Sequence, residues 1–289
     1  MRVALITATG LLGSRLYRLL SARGFDVVPF SHSSGPYRRF DLESPDVDVL
    51  KSFRPDAVVI SAAYTDVDRC EEEPARCLAV NCLGVAAVAK ALPGAHVVYI
   101  STDYVFSGDR GMYAESDLPS PVQWYGVSKL CGERAAAAYA SKWTVLRPST
   151  LFGVGGSKLN FAMWAAGELS AGRKIRAYTD LYSSPTLADS LAEAVAEALE
   201  RGVYGLFHFA GADRASRYQW ALAIAKRLGA EGLVEPSSSA AASWRAKRPR
   251  DSSLSVEKAR GVFKTRPLAL DEAIDKFVEE FRRHALPHV

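Results

Sequence analysis

Residues 101–133 read STDYVFSGDRGMYAESDLPSPVQWYGVSKLCGE, and Tyr125 precedes Lys129 by four residues in this segment. Side chains with that spacing lie on one face of a helix. An ammonium group close to a phenol favours the phenolate and so lowers the pKa of the tyrosine from its usual value near ~10. Tyr125 is therefore a candidate general acid for protonating a carbonyl oxygen. Thr102 follows the apolar run 96–100, which predicts a buried strand, and its hydroxyl can hydrogen-bond the same oxygen.

The N-terminal segment MRVALITATGLLG supplies a second feature. Residues 2–6 predict a buried strand, and a turn containing Gly10 and Gly13 leads into a helix that runs to about residue 23. Such a turn places the pyrophosphate of a dinucleotide on backbone N–H groups at the helix N-terminus. A tyrosine–lysine pair alone is common on helices that have no catalytic role. The glycine turn and Thr102 together favour a catalytic Tyr125.

The runs STDYVFSG and YxESDxPxPxxxYGxSKLxGE resemble the extended short-chain dehydrogenase/reductase superfamily, and within it most closely the dTDP-4-dehydrorhamnose reductase family. The chain is also similar to the regulatory β subunit of methionine adenosyltransferase, a relative of that family. The resemblance runs nearly from end to end, and residues 101–133 are its most specific part. It implies reduction of the 4-keto group of a dTDP-linked 6-deoxy-hexose to dTDP-rhamnose, with NADPH or NADH as the hydride donor.

The resemblance also implies roles for individual residues. Tyr125 would protonate the new alkoxide, Lys129 would lower the pKa of Tyr125 and hold the ribose of the cofactor, and Thr102 would polarise the carbonyl. Arg248 lies in the basic segment 244–250, which is either a solvated face or a clamp for the substrate diphosphate, because guanidinium groups match phosphate oxygens. The expected substrate contacts are Asp103, Tyr104, Asn160 and Arg248.

Cofactor contacts are expected along the first half of the chain. The GxxGxxG pattern of the superfamily has Thr7 in place of its first glycine, so a Cβ lies at the tight turn. The strand 26–30 ends in the serine- and histidine-containing segment 31–34, which has no carboxylate for a ribose 2′-hydroxyl, and Arg38 follows. These features favour NADPH over NADH. The predicted contacts are Thr7, Thr9, Gly10, Leu11, Leu12, Gly13, Ser31, His32, Arg38, Asp41, Leu42, Ser61, Ala62, Ala63, Tyr64, Asn81, Ser101, Tyr125 and Lys129.

Strands and helices alternate over the first half of the chain, which predicts right-handed crossovers and a parallel sheet. We therefore predict an α/β fold with a Rossmann-type doubly wound parallel sheet and a smaller C-terminal substrate-binding α/β lobe. Residues 1–150 would form the dinucleotide-binding domain, to which the segment 178–205 returns. Residues 151–177 and 206–289 would form the substrate-binding lobe.

Two other functions stay open from the sequence. One is a non-catalytic dinucleotide-binding regulatory subunit of the methionine adenosyltransferase type, which the segments 9–13 and 207–225 resemble equally well. The other is a nucleotide-sugar epimerase or dehydratase of the same superfamily. A dehydratase typically needs a further acid beside Thr102, and the sequence there is Asp103 followed by Tyr104. This counts against dehydration.

The composition is that of a soluble globular protein, with 48% hydrophobic and 24% charged residues. The net charge of +4 is mild and spread along the chain, so we expect no nucleic-acid partner. The sequence has no run of about eighteen apolar residues and no signal peptide. We therefore expect a cytoplasmic protein without a membrane partner.

The cysteines lie at positions 70, 77, 82 and 131, without a CxxC pair and without a common zinc spacing. We predict free thiols and no metal site. Some reductases of the family are dimers bridged through acidic side chains and a divalent cation. A homodimer is therefore an expectation from the resemblance, but no residue of this chain is assigned to such a cation.

Overall fold

The structure, a computed structural model, describes residues 1–32, 35–156 and 158–285. The strands among these residues are β1 (Arg2–Ile6), β2 (Asp26–Ser31), β3 (Arg38–Arg39), β4 (Ala57–Ile60), β5 (His96–Ile100), β6 (Lys142–Arg147), β7 (Ser149–Phe152), β8 (Ile175–Tyr178), β9 (Tyr182–Ser183), β10 (Pro185–Leu187), β11 (Gly205–His208), β12 (Ala215–Ser216) and β13 (Val234–Ser237). The α-helices are α1 (Leu11–Ala22), α2 (Val47–Ser52), α3 (Val67–Glu72), α4 (Pro74–Leu78), α5 (Gly84–Ala91), α6 (Trp124–Tyr139), α7 (Phe161–Ser170), α8 (Ala188–Arg201), α9 (Arg217–Leu228), α10 (Glu257–Val262) and α11 (Leu270–Ala285).

One large sheet has the strand order β11-β6-β5-β4-β1-β2-β3. All of its neighbouring strands are parallel. The chain proceeds outward from β1 first on one side and then on the other, so the carboxyl ends of β1 and β4 border a topological switch point. Open α/β sheets bind ligands at such a point. The predicted Rossmann-type doubly wound sheet is confirmed.

The large sheet is buried on both faces: residues 3–6 of β1, all of β4 and residues 97–100 of β5 are apolar and buried. Alternate residues of a strand point to opposite faces. In β1, Val3 and Leu5 pack in the core that includes α1 and α8, whereas Ala4 and Ile6 pack in the core that includes α2, α5 and α6. Two layers of helices therefore enclose the sheet and leave its carboxyl edge free for a site.

A smaller body consists of α7, α9, α11 and the parallel pair β8–β13. Its core includes Trp220 and Phe277, which both pack edge-on against Phe152. Helix α8, within the segment 178–205, packs with α1 on the large sheet. Strand β11 lies at the edge of the large sheet beside β6, and not in the smaller body, where the predicted boundary at residue 206 put it. Its Phe207 is buried in the core of the large sheet.

The cysteines are paired, so the prediction of free thiols is wrong. Cys70 is linked to Cys77 and Cys82 to Cys131, with Cα–Cα distances of 5.4 and 5.2 Å, and no free cysteine is left in the described part of the chain. Segment 79–83 packs against α6, and this contact brings Cys82 beside Cys131. The spacing of the cysteines along the sequence does not reveal it. Disulfides are rare in the cytoplasm of mesophiles, so the cytoplasmic location stays a prediction.

The helical stretch Pro74–Ala91 has a mean hydropathy of 1.2 and is long and apolar enough to cross a membrane. It comprises α4, a π-helical turn at Ala79–Leu83, and α5. Val85 and Val88 of this stretch are fully buried in the core beneath the sheet. Since a core helix of a soluble protein has the same composition, the absence of a membrane partner stays a prediction.

Candidate active site

A cleft of about 720 Å³ lies at the carboxyl ends of β1, β4 and β5. One part of its lining, which we call the turn wall, is the segment 7–13, which comprises the turn after β1 and the first three residues of α1. A second part, which we call the helix wall, consists of Thr102 after β5 and of Tyr125 and Lys129 on α6. The smaller body contributes Asn160 and Arg217. The fold thus brings the two sequence features that favoured a catalytic tyrosine to one cavity.

The turn wall is a backbone cradle. Thr7 has a φ of 71°, which is the left-handed conformation that a glycine in its place would adopt freely. A Cβ at Gly13 would lie 1.8 Å from the Thr7 carbonyl oxygen, so only glycine allows this close approach. Gly10 precedes α1 without a side-chain cap, which leaves backbone N–H groups of the helix open to an anion. Thr9 is exposed and, unlike the other predicted residues of this segment, does not line the cleft.

The far end of the turn wall meets β2. His32, Asp41 and Leu42 line the cleft, and His32 Nε2 lies 3.3 Å from a carboxylate oxygen of Asp41. The segment directly after β2 has no carboxylate, as the sequence argument for NADPH stated, but Asp41, a predicted cofactor contact from further along the chain, brings a carboxylate beside His32. Arg38 is exposed in β3, with its guanidinium 4.8 Å from the centre of the Phe53 ring, and does not line the cleft.

A further predicted contact near β2, Ser31, also lies away from the cleft. It is buried at the end of β2. Ser33 and Ser34, which the sequence argument counted as hydroxyl donors, lie outside the described residues. On the neighbouring strand, the predicted segment Ser61, Ala62, Ala63 and Tyr64 follows β4 and lines the cleft throughout.

Asn81 acts behind the cleft and not at its surface. Its side-chain oxygen accepts a hydrogen bond from Tyr64 N at 2.8 Å, and its amide nitrogen donates to Tyr64 O at 3.1 Å and to Ser128 Oγ at 2.9 Å. It lies in the π-helical turn and is 1% exposed. The structure therefore makes Asn81 a buried bridge between the loop after β4 and helix α6, whereas the sequence analysis grouped it with the cofactor contacts.

Helix α6 carries Tyr125 at its first turn and approaches the loop after β5 closely. The side-chain oxygen of Gln123 caps the helix by accepting a hydrogen bond from Gly126 N at 3.1 Å. A Cβ at Gly126 would lie 2.0 Å from the carbonyl oxygen of Tyr104, so a side chain at this position would push α6 away. The rings of Tyr104 and Tyr125 are consequently only 6.0 Å apart between centroids.

The ammonium group of Lys129 is turned away from Tyr125. It donates a hydrogen bond of 2.6 Å to the carbonyl oxygen of Ile100 and lies 4.1 Å from the centre of the Tyr99 ring. Burial lowers the pKa of Lys129 to about 7, and the nearby carboxylate of Glu133 opposes this shift. The Lys129 side chain therefore gains or loses its proton near neutral pH.

The pKa of Tyr125 is raised above its usual value because its surroundings desolvate the phenol, and the adjacent Thr102 hydroxyl only partly opposes this effect. The sequence analysis expected the opposite direction, with Lys129 lowering the pKa of Tyr125. That expectation is wrong for this structure, since burial outweighs any charge effect and Lys129 is held by Ile100. Tyr125 thus keeps its proton at neutral pH, which is the form that an acid needs.

A buried ion pair that sequence reasoning missed lies behind the helix wall. Arg147, at the end of β6, donates to both carboxylate oxygens of Glu133 at 2.7 Å. The Ser101 hydroxyl donates to the same carboxylate at 2.5 Å, so this predicted cofactor contact lines the cleft with its hydroxyl already engaged. The sequence carries no local signal for this pair, because Glu133 on α6 and Arg147 on β6 are separated by 14 residues and meet only in the folded chain.

On the substrate side, Asp103 is buried and occupied by neighbouring hydroxyls. Its carboxylate accepts hydrogen bonds from Ser149 at 2.6 Å, Ser252 at 2.5 Å and Thr102 at 3.0 Å. Burial raises the pKa of Asp103, and these hydrogen bonds oppose the shift. Asp103 therefore orients the Thr102 hydroxyl.

Of two other predicted substrate contacts, Asn160 lines the cleft and Arg248 does not. Asn160 also caps α7, with its amide donating to Gly153 O at 2.8 Å. The guanidinium of Arg248 instead donates to Asp68 at 2.9 Å and to the carbonyl of Ala246 at 3.0 Å. Arg217, which sequence reasoning did not single out, lines the cleft instead.

A second cavity lies outside this site, in a surface groove between α1, α8 and α11 with a volume of about 1150 Å³. Its acidic residues are engaged: the buried Arg15 pairs with Asp189 at 2.7 Å and with Glu280 at 2.8 Å. In the described parts of the chain no group of three or more His, Cys, Asp or Glu side chains is arranged to hold a metal ion.

Comparison with known proteins gives the same result for sequence and for structure. Residues 1–283 match the sequence model of the family described as RmlD substrate binding domain. The probable low-salt glycan biosynthesis reductase Agl14 of Haloferax volcanii is 35% identical, over 88% of this chain and 89% of the relative. The dTDP-4-dehydrorhamnose reductase of Escherichia coli is 32% identical, over 89% of this chain and 90% of the relative. The crystal structure of dTDP-4-dehydrorhamnose reductase from Bacillus anthracis in complex with NADP is 29% identical, with a TM-score of 0.89 over 96% of this chain and 99% of that chain.

Proposed function

This chain belongs to the RmlD substrate binding domain family, and from that premise we propose that it is an NADPH-dependent dTDP-4-dehydrorhamnose reductase. It would reduce the 4-keto group of dTDP-4-dehydro-6-deoxy-L-mannose to give dTDP-L-rhamnose. The observation that carries the proposal is the meeting of Thr102, Tyr125 and Lys129 with the turn wall in one cleft. The similarity to reductases over about nine-tenths of the chain supports it.

The turn wall fits a dinucleotide, because the approach permitted by Gly13 and the uncapped N-terminus of α1 suit a pyrophosphate. When bound, the nicotinamide supplies the hydride for the carbonyl carbon. NADPH is preferred because the Bacillus anthracis relative holds NADP. NADH is the second candidate, since Asp41 at the end of the cleft offers a carboxylate to a ribose 2′-hydroxyl.

The proton that completes the reduction comes from the helix wall. Tyr125 Oη holds it at neutral pH and gives it to the oxygen of the ketone as that oxygen gains negative charge. The substrate thus gains one hydride at carbon and one proton at oxygen, and the phenolate left on Tyr125 recovers a proton from water. Thr102 lies beside Tyr125, and its hydroxyl, which donates to Asp103 in this structure, would turn to donate to the ketone oxygen when substrate binds.

The regulatory-subunit alternative is not favoured, because the similar proteins described above carry reductase names. An epimerase or a dehydratase shares only the fold at this level of similarity. A nucleotide-sugar substrate follows from the proposed reaction. The homodimer and the absence of nucleic-acid and membrane partners stay predictions.

The test is NADPH oxidation, followed by absorbance, with enzymatically generated dTDP-4-dehydrorhamnose. Wild type should turn over, and Tyr125→Phe should lose about 100- to 10,000-fold in rate because it lacks the general acid. Tyr139→Phe, on the same helix but exposed, serves as the matched control and should behave as wild type. If the wild-type protein binds NADPH but does not oxidise it or NADH with this substrate, the proposal is wrong.

A further inference from the structure

Four Lys and Arg side chains line the cleft in the part of the chain that the structure describes, and three of them are already engaged. Arg76 pairs with carboxylates at 3.0 and 3.3 Å, Lys158 donates to a threonine hydroxyl at 3.1 Å, and Lys129 donates to a backbone carbonyl. Arg217 differs. Its Nη1 is buried without a hydrogen-bond partner, and its guanidinium forms no ion pair with any described residue.

The position of the Arg217 guanidinium is fixed by aromatic rings and not by acids. It lies 5.0 Å from the ring centres of both Phe161 and Trp220. Arg217 is the first residue of α9, and Ser216 and Gln219 form a capping box there, so the helix end is satisfied by its own side chains. The unpaired group at this place is therefore the guanidinium itself.

A buried charged donor without an acceptor is costly, and the cost is relieved when a ligand brings the acceptor. A guanidinium fork matches the oxygens of phosphate better than any neutral acceptor. The unpaired nitrogen of Arg217 thus points to an anionic group that arrives with a ligand of this cleft.

An anion bound by Arg217 would lie close to the carbon that is reduced. Burial and the Asp103 carboxylate raise the pKa of the Tyr104 phenol, and the positive charges of Arg217 and, more weakly, Arg248 oppose this rise. Both arginines therefore lie near Tyr104, but of the two only Arg217 also lines the cleft. The Tyr104 ring is in turn 6.0 Å from the ring of Tyr125, the proposed proton donor. In a nucleotide sugar the diphosphate is bonded directly to the sugar ring, so its sugar-linked phosphate stays within one ring width of the reduced carbon.

We propose that Arg217 binds the sugar-linked phosphate of the nucleotide-sugar substrate and thereby sets the position of the sugar at Tyr125. This inference rests on the proposed function. It moves the phosphate contact from Arg248, the residue suggested by the sequence, to Arg217. Arg248 is held by Asp68 at 2.9 Å outside the cleft and is therefore less free to meet a substrate.

The test compares binding of dTDP, dTMP and NADPH by titration calorimetry to wild type, Arg217→Met and Arg217→Lys. Arg217→Met keeps an apolar stem against Phe161 and Trp220 but removes the charge-assisted bond. We expect it to weaken dTDP binding about 10- to 100-fold, with much less effect on dTMP, which lacks the second phosphate. Arg217→Lys should fall between the two because it keeps the charge and loses the fork. NADPH binding should change less than about twofold.

The matched control is Lys226→Met, which removes one positive charge from the exposed face of the same helix and should bind all three ligands as wild type does. Equal weakening of dTDP and dTMP by Arg217→Met would indicate a general disturbance of the site and overturn the inference. A selective loss of NADPH would assign Arg217 to a cofactor phosphate and overturn it as well. Unchanged dTDP binding would overturn the inference and leave the proposed function standing. Failure of the wild-type protein to bind dTDP would overturn both.

Discussion

The turn wall and the helix wall of the cleft are built in different ways. The turn wall is a backbone structure without any charged residue, and its shape depends on the left-handed conformation of Thr7 and on the missing Cβ of Gly13. The helix wall consists of side chains, of which Thr102 and Lys129 are buried and Tyr125 is half-buried, and Lys129 lies near the buried pair of Glu133 and Arg147. Available space and backbone conformation therefore determine which residues the turn wall can accept, whereas charge balance determines this for the helix wall.

The largest effect is expected behind the helix wall, from Glu133→Gln. Gln keeps the shape of the side chain but leaves Arg147, which is 1% exposed, without a compensating charge. Breaking a buried ion pair in this way costs about 3–5 kcal/mol. The free energy of unfolding from denaturant titration should fall by that amount, and replacing both residues by Met should restore a large part of it.

An exposed ion pair provides the control for this experiment. Lys174 and Glu235 are 2.8 Å apart but 67% and 43% exposed, so Glu235→Gln should change the free energy of unfolding by less than about 1 kcal/mol. If Glu133→Gln costs no more than Glu235→Gln, the charge balance of the helix wall is not what stabilises it.

The next effect, smaller for each unit of pH, is expected from the pH dependence of Lys129. Its pKa is lowered in the folded protein from 10.5 to about 7, so between these values the unfolded chain binds more protons than the folded one. The cost of burying the ammonium is fully present below pH 7 and disappears as pH rises towards 10.5. The free energy of unfolding should therefore rise with pH across this window, by up to ~1.4 kcal/mol per pH unit.

Lys129→Met isolates this contribution, because every other titrating group is common to both proteins. We expect the difference in unfolding free energy between Lys129→Met and wild type to shrink steadily as pH increases from about 7 to about 9. If the unfolding free energies of the two proteins change with pH in parallel, Lys129 is not desolvated. The charge of the helix wall would then not distinguish it from the turn wall.

The smallest effect is expected in the turn wall, from Thr7→Gly. A β-branched residue with a φ of 71° is strained, and glycine relieves the strain while adding freedom to the unfolded chain. The balance should stabilise the protein by about 1 kcal/mol or less. Thr9→Gly, in the same turn but without a positive φ, should destabilise it, as measured by urea unfolding. A loss of stability from both substitutions would mean that Thr7 is not strained.

The sequence was informative wherever a few contiguous residues decide the outcome. The apolar runs and the glycine turn predicted the doubly wound sheet, and the spacing of Tyr125 and Lys129 predicted that both lie on one face of α6 at the cleft. Family resemblance added the segment after β4, including Tyr64, which lines the cleft as expected. These features depend on backbone periodicity and on turns within one short segment, and both are encoded locally.

Tertiary structure alone decided which distant groups meet. The sequence contains Arg217 and Arg248 alike, but only folding places Asp68 beside Arg248 and leaves Arg217 unpaired in the cleft. The same holds for the pairing of Cys82 with Cys131 and for the direction in which the pKa of Tyr125 moves. Pairing and burial depend on segments far apart in the chain, so the charge state and availability of a side chain are fixed by its neighbours in space, whereas its place on a strand, turn or helix is fixed by its neighbours in sequence.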